Sequence, residues 1–177
     1  QQIEIFDSFT ISKPILGIAV YITGDTAGAI DSQPHVGNTD AFLTKYADDG
    51  TKQWTKQLGG NPSDYSTCND YAKDVAVDSN NNVYITGYTT GALDGQTQVG
   101  GSDAFLTKYD SDGDKKWTKQ LGTATGDSAY GVTTDSNNNV YIAGNTSGDL
   151  DGSGNDGSTD AFLTKYDSDG DKKWTKQ

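Results

Sequence analysis

Regularly spaced aspartates are the first feature of this sequence that suggests chemistry. Two copies of the pentapeptide DSDGD place carboxylates at alternate positions, namely Asp110, Asp112, Asp114, Asp167, Asp169 and Asp171. This spacing resembles the start of a calcium-binding loop, in which hard oxygen ligands converge on the cation. The two pentapeptides are therefore candidate calcium sites.

The residues that follow these aspartates favour a turn. An EF-hand loop counted from Asp110 needs glycine at the sixth position and a bidentate glutamate at the twelfth, where this sequence has Lys115 and Leu121. Lys115 and Lys116 also repel a cation directly after the carboxylates. Asp and Gly are typical turn residues, so we expect hairpin turns here, with calcium binding as the alternative.

Two long connections rich in Gly, Ser and Asp form the second candidate site. The segment TTGALDGQTQVGGSD carries Asp94, and TSGDLDGSGNDGSTD carries Asp149, Asp151 and Asp156. Loops on a rigid scaffold often hold binding residues. Carboxylates beside flexible main-chain carbonyls suit weak binding of calcium or of a sugar, and solvated loops without a ligand are the alternative.

Catalysis has little support in the sequence. His35 and Cys68 are single residues of their types, and no Ser-His or Cys-His pairing recurs. A general base or metal ligand needs partners at defined geometry. A pair of aspartates could act as in glycosidases, but nothing selects one pair, so we expect no enzyme. Cys68 is expected to be a buried or idle thiol, with an intermolecular disulfide as the alternative.

The composition predicts a globular all-β protein. Hydrophobic residues make up 32% of the 177 residues and are concentrated in short runs rich in Val, Ile, Tyr and Phe, which are typical of strands. All 13 cationic residues are lysines, and Glu4 is the single glutamate among 25 acidic residues. The net charge of -12 and the absence of arginine argue against nucleic acid and anionic membranes as partners. No stretch reaches transmembrane length, so no membrane insertion is expected.

Three motifs recur in a fixed order and reveal internal repeats. VYITG or VYIAG, DAFLTKY and WTKQ each occur three times, beginning at Val20, Val83 and Val140, at Asp40, Asp103 and Asp160, and at Trp54, Trp117 and Trp174. The intervals are 63 residues (83 − 20) and 57 residues (140 − 83) for every motif. The difference of six residues lies in one joint, which marks that joint as a surface loop.

Each unit contains four predicted strands separated by turn-forming residues. The first strand spans Tyr71–Asp78 or Ala129–Asp135, and NVYITG, DAFLTKY and KKWTKQL follow as the second, third and fourth strands. Four consecutive antiparallel strands at a fixed period are typical of a β-propeller blade. We therefore predict three four-stranded antiparallel blades: residues 1–57 with an irregular start, residues 58–120 and residues 121–177.

The fourth strand is predicted to lie at the outer edge of each blade. It carries eight lysines, a residue type that protects sheet edges against pairing with other chains. The VYI and AFL runs suit middle strands that are covered on both faces. Trp54, Trp117 and Trp174 are predicted to pack each outer strand against the next blade.

This set of motifs closely resembles the SBBP type of bacterial β-propeller repeat. The resemblance rests on VYITG, DAFLTKY, a turn ending in glycine, a Trp strand followed by LG, and DVAVDSNNN before the next VYITG, and it covers Val20 to Gln177. At Thr10–Ala19 the sequence has TISKPILGIA where the pattern expects VAVDSNNN. The resemblance implies a secreted or cell-surface bacterial scaffold.

Three blades are too few for a closed ring, because propellers close with about four to eight blades. Uncovered apolar blade faces recruit partners. We expect further blades of a longer chain, copies of the same chain completing a ring, or an open stack. The predicted role is a non-catalytic extracellular scaffold for protein binding or assembly without a cofactor. The alternatives are a calcium-dependent or carbohydrate-binding module that uses the long loops, and a segment of a larger propeller hydrolase.

Overall fold

A computed structural model describes residues 9–12, 19–60 and 68–177 and shows only β-strands as regular elements in these ranges. The described strands form three four-stranded sheets in which strands adjacent in sequence pair antiparallel. The prediction of an all-β fold made of propeller blades is confirmed. The described ranges hold no helix that could cross a membrane.

The strand bounds follow the repeated motifs. Sheet I contains β1 (Phe9–Ser12), β2 (Ala19–Thr26), β3 (Asp40–Ala47) and β4 (Lys52–Leu58). Sheet II contains β5 (Asp70–Val77), β6 (Val83–Thr89), β7 (Asp103–Tyr109) and β8 (Lys115–Leu121). Sheet III contains β9 (Asp127–Thr134), β10 (Val140–Thr146), β11 (Asp160–Tyr166) and β12 (Lys172–Lys176).

The first strand of each sheet differs slightly from its prediction. Strands β5 and β9 begin at Asp70 and Asp127, one and two residues earlier than the apolar pattern indicates, because an aspartate side chain at a strand start is held by neighbouring backbone. In the irregular segment Thr10–Ala19, β1 includes Thr10 and pairs with β2 in the register Phe9↔Gly24. Residues 13–18 lie outside the described part of the chain.

The hairpin between the first two strands of a unit is built by an aspartate. Asp78 accepts hydrogen bonds from the N–H groups of Asn80 and Asn82, both at 2.9 Å, and from the Tyr84 hydroxyl at 3.0 Å. Asn81 has a φ of 62° in the left-handed region, which asparagine tolerates better than most residues. Asp135 repeats the arrangement in sheet III. The DSNNN cluster thus sets a tight turn.

The three sheets stack face to face in chain order. One buried cluster joins Tyr21 and Leu43 of sheet I to Val75 and Ile85 of sheet II. A second cluster joins sheet II to sheet III in the same way, with Leu106 against Val132. Because sheet II is covered on both faces, β6 and β7 are buried along almost their whole length. Burial of this apolar area is the main stabilising contribution.

Candidate functional site: the contact between successive sheets

The turn between the third and fourth strands receives side chains from the preceding sheet. Lys45 of sheet I donates a hydrogen bond from Nζ to the carbonyl oxygen of Ser111 at 2.7 Å. The Trp54 indole Nε1 donates to the same oxygen at 3.4 Å. One main-chain carbonyl in the β7–β8 turn therefore accepts hydrogen bonds from a lysine and a tryptophan of the neighbouring sheet. This contact agrees with the predicted packing of Trp54 against the next blade.

The same contact is repeated one sheet further along. Lys108 and the indole of Trp117 both donate to the Ser168 carbonyl oxygen in the β11–β12 turn, at 2.8 and 3.4 Å. Gly170 has a φ of 86°, and a Cβ atom there would lie 3.0 Å from the Trp117 ring. Glycine is therefore required both for the turn and for the close approach of the indole. We call this arrangement the Trp–Lys contact.

The DSDGD aspartates serve the geometry of these turns. Asp110 Oδ1 accepts hydrogen bonds from the N–H groups of Asp112 and Asp114 at 3.0 and 2.9 Å. Its Oδ2 forms an ion pair with Lys116 at 2.5 Å, and this hydrogen bond is the largest of the causes that lower the pKa of Asp110. Asp167 repeats the arrangement with Asp169, Asp171 and Lys173. The structure therefore uses Asp110 and Asp167 as turn residues.

Asp94 lies in the long loop between β6 and β7 and holds that loop against the outer strand β8. Its carboxylate forms an ion pair with Lys115 and accepts a hydrogen bond from the Thr118 hydroxyl, both residues of β8. Asp31 does the same in sheet I with Lys52 and Thr55. Sequence reasoning overlooked Asp31, although it stands 63 residues before Asp94 at the equivalent position (94 − 31).

The other loop candidates bind nearby main chain. Asp149 accepts a hydrogen bond from Gly152 N–H at 2.7 Å, and Asp151 accepts from Gln177 N–H at 3.1 Å. Asp156 donates its N–H to Asp160 at 2.8 Å. Within the described residues, no three His, Cys, Asp or Glu side chains are arranged to hold a metal ion. Ligand binding by these loops stays a prediction.

A glutamine at the end of the WTKQ motif holds the base of each long loop. Gln120 Nε2 donates to the Gly91 carbonyl at 3.0 Å and to Asp103 at 2.9 Å, while its Oε1 accepts from Leu93 N–H at 3.2 Å. Gln57 and Gln177 repeat this set of bonds in sheets I and III. The triple occurrence of WTKQ was the sequence signal for this role, which we did not recognise.

Two buried aspartates meet at each contact between sheets. Ser102 and Gly126 form a parallel bridge, and Asp127 N–H donates to the Ser102 carbonyl at 2.8 Å. The next residue of each segment, Asp103 and Asp127, is 1% and 0% exposed. Asp40 and Asp70 occupy the same places beside the Thr39–Asn69 bridge between sheets I and II. We call these the carboxylate pairs.

Burial makes ionisation of Asp70 and of Asp103 unfavourable. Burial raises the pKa of Asp70 to about 6, with a smaller contribution from the charge of Asp40. Burial also raises the pKa of Asp103, and the charge of Asp127 adds to this effect. Sequence reasoning did not select these residues, although an aspartate begins each DAFLTKY motif. Their proximity depends on the stacking of two sheets, which no local pattern encodes.

His35 and Cys68 both lie at the contact between sheets I and II, among hydrogen-bonding groups of the protein. His35 Nδ1 lies 3.2 Å from Gln57 Nε2 and 3.4 Å from Asp40 Oδ2. Cys68 is fully buried, and its carbonyl oxygen accepts a hydrogen bond from Asn38 N–H at 2.8 Å. The burial agrees with the expected buried thiol and disfavours an intermolecular disulfide.

One face of sheet III is exposed, whereas the equivalent faces of sheets I and II are each covered by the following sheet. Leu106 in the DAFLTKY motif of sheet II is fully buried, whereas Leu163 in the identical motif of sheet III is 40% exposed. Trp174 is 37% exposed, whereas Trp54 and Trp117 pack against the two buried clusters. The difference arises because the described part of the chain has no sheet stacked on this side of sheet III. We call this surface the open face.

Stacked four-stranded sheets with repeated contacts define a β-propeller-type repeat protein. Residues 53–93 and 116–151 match the family model described as SBBP, beta-propeller repeat. The chain therefore contains SBBP β-propeller repeats, as its motifs indicated. The two matches run from β4 to just beyond β6 and from β8 to just beyond β10. The family repeat thus spans a contact between sheets.

Two longer proteins are similar to this chain. The regulatory protein FlaEY of Caulobacter vibrioides is 30% identical over 180 residues, which cover 91% of this chain and 18% of that protein. An uncharacterized WD repeat-containing protein of Acanthamoeba polyphaga mimivirus is 30% identical over 125 residues, which cover 61% of this chain and 9% of that protein. The chain thus spans less than a fifth of either relative.

Proposed function

We propose that this chain is a non-catalytic repeat scaffold outside the cell, and that its open face binds a further blade of the same type. One observation supports the binding role above the others. Leu163 and Trp174 are exposed, while their counterparts Leu106 and Trp117 are covered by the next sheet. An exposed apolar patch of this kind is typical of a protein interaction site. The extracellular location rests on the resemblance to SBBP proteins.

The contacts inside the chain define the chemistry of the partner. Lys108 and Trp117 both bind a turn carbonyl of the following sheet. Their counterparts are Lys165, which lies 4.0 Å from Asp135, and the exposed Trp174. A partner blade would therefore supply a turn with a main-chain carbonyl for these two donors and a glycine beside the indole. Its apolar face would cover Leu163.

The partner blade has two possible sources with the same chemistry. Both relatives are more than five times longer than the matched region, so a longer chain of this type has room for further repeats. A second copy of this chain also carries blades with the required turn. We propose that either source covers the open face, because the contact depends on the motifs and not on chain connectivity.

An added repeat tests the proposal directly. A second copy of residues 121–177 is appended after Gln177, and the solvent access of Trp174 is measured by fluorescence quenching with acrylamide. We expect Trp174 to become as protected as Trp117. Phenylalanine in place of Trp54, Trp117 and the tryptophan of the appended copy isolates the Trp174 signal. Unchanged quenching of Trp174 in the folded extended protein would refute the proposed contact.

Self-association provides a second measurement on the chain as it stands. Sedimentation equilibrium should show a mass above that of one chain at high protein concentration. Leu163→Lys should abolish this association, because it places a charge in the centre of the open face. Val99→Lys is the matched control, since Val99 is an exposed apolar residue of a long loop at 42% exposure. A monomer at all concentrations would assign the open face to blades of a longer chain alone.

A further inference from the structure

The Trp–Lys contact has two halves, and each end of the stack of described sheets carries one of them. In every contact, one sheet supplies the lysine and the tryptophan, and the following sheet supplies a turn with a main-chain carbonyl and a glycine. Sheet III carries the lysine and tryptophan half with Lys165 and Trp174, beside the exposed Leu163. Sheet I carries the turn half between β3 and β4. The described stack thus presents complementary halves at its two ends.

The half on sheet III is already arranged as in the internal contacts. The ring centroids of Tyr141 and Trp174 lie 6.1 Å apart, and those of Tyr84 and Trp117 lie 6.0 Å apart. Lys165 Nζ lies 5.2 Å from the centroid of the Tyr141 ring, and the equivalent lysine of sheet II lies 5.6 Å from the centroid of the Tyr84 ring. The two donors of the open face therefore need little rearrangement to bind a turn.

The β3–β4 turn has the backbone geometry that the internal contacts use. Gly50 and Gly113 both have a φ of 83°. Gly50 N–H donates to the Ala47 carbonyl oxygen at 3.0 Å, and Gly113 N–H donates to the Asp110 carbonyl oxygen at 3.0 Å. The turn of sheet I therefore has the shape of a turn that binds a lysine and a tryptophan.

The acceptor carbonyl of this turn belongs to Asp48. Asp48 stands 63 residues before Ser111 (111 − 48) and is exposed. A Cβ atom at Gly113 would lie 3.0 Å from the Trp54 ring, whereas a Cβ atom at Gly50 would have no described neighbour within 4 Å. The place that an indole fills beside Gly113 is therefore not filled beside Gly50 by any residue that the structure describes.

The outer face of sheet I is apolar and less covered than the same face of sheets II and III. Ile22 follows Tyr21 in β2, so it projects away from sheet II. Ile142 occupies this position in sheet III and belongs to the same buried cluster as Leu106. Three apolar side chains of this face are partly exposed in sheet I but buried in sheet II, and the pairs are Val20 and Val83, Ile22 and Ile85, and Tyr46 and Tyr109.

We propose that two copies of this chain bind head to tail and close a ring of six sheets. The open face of each copy covers the outer face of sheet I of the other copy. Lys165 and Trp174 donate to the carbonyl oxygen of Asp48, and Leu163 packs against Ile22. This inference rests on the proposed function of the open face and names a second copy as its partner. The contact is heterologous, since different surfaces of the two copies meet.

The number of sheets selects two copies. Propellers close with about four to eight blades. Two copies supply six sheets (2 × 3), whereas three copies would supply nine (3 × 3). A closed pair has no open face left, while an open stack keeps one at its end and continues to grow. Association should therefore stop at two copies.

Charge repulsion sets the conditions for pairing. The net charge of -12 on each chain opposes the approach of two copies. Salt at about 0.15 M reduces this repulsion, because the Debye length is then about 8 Å. Pairing is thus expected at high protein concentration. Dilute solutions contain the single chain, in which Leu163 and Gly50 are not covered by a second copy.

Sedimentation equilibrium of the unmodified chain tests ring closure. At about 0.15 M salt the average mass should rise with protein concentration and level off at twice the mass of one chain. A mass that continues to rise beyond two copies would overturn the closed ring in favour of an open stack. The mass of a single chain at every concentration would overturn pairing, whereas protection of Trp174 by the appended repeat would still support the proposed function of the open face.

Lysine variants on the two faces test whether different surfaces meet. Leu163→Lys and Ile22→Lys should each abolish pairing, because either change places a charge in the apolar contact. Val99→Lys is the control and should pair like the unmodified chain. If two open faces bound each other, Ile22→Lys would still pair, and that result would overturn the head-to-tail contact.

Glycine variants test the turn without adding a charge, and they replace Ile22→Lys if circular dichroism shows that it does not fold. Gly50→Ala should raise the Kd for pairing at least about tenfold, because its Cβ atom meets the Trp174 indole of the second copy. Gly95→Ala is the matched control, since Gly95 is exposed, has a φ of 75° and has no described neighbour for a Cβ atom within 4 Å. Equal Kd values for the two variants would overturn the placement of Trp174 against the β3–β4 turn.

Discussion

Lys108 Nζ lies 2.8 Å from the main-chain carbonyl oxygen of Ser168, although the two residues belong to different sheets. Lys45 makes the same contact with Ser111 at 2.7 Å. Both acceptors lie in the DSDGD turns whose aspartates first suggested calcium binding. The turns therefore help to stack the sheets of this chain, because each turn presents a carbonyl oxygen to the preceding sheet. The identical repeats allow each of these contacts to be tested against an internal control.

Truncation of one leucine should have different costs in two identical motifs. Leu106→Ala removes a fully buried side chain between sheets II and III and should lower the free energy of unfolding by about 3 kcal/mol. Leu163→Ala removes a side chain that is 40% exposed and should cost less than about 1 kcal/mol. Denaturant unfolding of both variants measures the difference. Equal losses would contradict the stacking order.

The indole hydrogen bond of the Trp–Lys contact can be measured in the same way. Trp117→Phe removes the Nε1 donor to Ser168 and part of the buried ring, whereas Trp174→Phe acts on an exposed ring. We expect the Trp117 variant to lose about 1–2 kcal/mol more stability than the Trp174 variant. Urea denaturation followed by circular dichroism checks this. A larger loss for Trp174→Phe would show that the open face is covered in solution.

A glycine in the turn tests how closely the sheets approach. Gly113 has a φ of 83°, and a Cβ atom there would lie 2.7 Å from Lys56 Cε and 3.0 Å from the Trp54 ring. Gly50 has the same φ, but a Cβ atom would have no described neighbour within 4 Å. Alanine at either position strains the backbone by about 1–2 kcal/mol. Gly113→Ala should therefore cost clearly more than Gly50→Ala in thermal unfolding, and equal costs would argue against the contact.

The Asp70 carboxyl predicts a pH dependence of stability. Its pKa is raised to about 6 in the folded chain from an unfolded value of 3.8, so the folded state binds the proton more tightly. Stability should therefore increase as the pH falls from about 7 to about 4.5, by about 2 kcal/mol from this group. Stabilisation by carboxylates with lowered pKa values, such as Asp135 at about 2, is lost only at lower pH.

The measurement is chemical denaturation across this pH range in the presence of a chelator. Asp70→Asn should flatten the rise. His35→Gln serves as the background for both proteins, because His35 lies beside Asp40 and the second unit has Gln98 at that position. A rise of equal size in the Asp70→Asn protein would assign the proton to another group.

Local chemistry explains which features could be predicted. The alternation of apolar runs with Asp, Asn and Gly clusters specified the strands, the turns and their grouping into fours, since these depend on residues close in the chain. The lysines of the fourth strand correctly indicated a sheet edge. The packing of Trp54 and Trp117 against the next sheet also followed from the repeats, whereas Trp174 is exposed. The acceptor of the indole hydrogen bond could not be predicted, because Ser168 contributes only a main-chain carbonyl that any residue possesses.

The sequence by itself determined three similar four-stranded units, because hydrogen-bonded strands and their turns depend on neighbours in the chain. Only the tertiary structure decided which copies of a motif are buried and which carboxylates meet. Leu106 and Leu163 stand in identical heptapeptides, yet one is covered and the other is exposed, because burial depends on whether another sheet is stacked there. Asp103 and Asp127 are 24 residues apart (127 − 103), and the docking of sheet III on sheet II places them side by side.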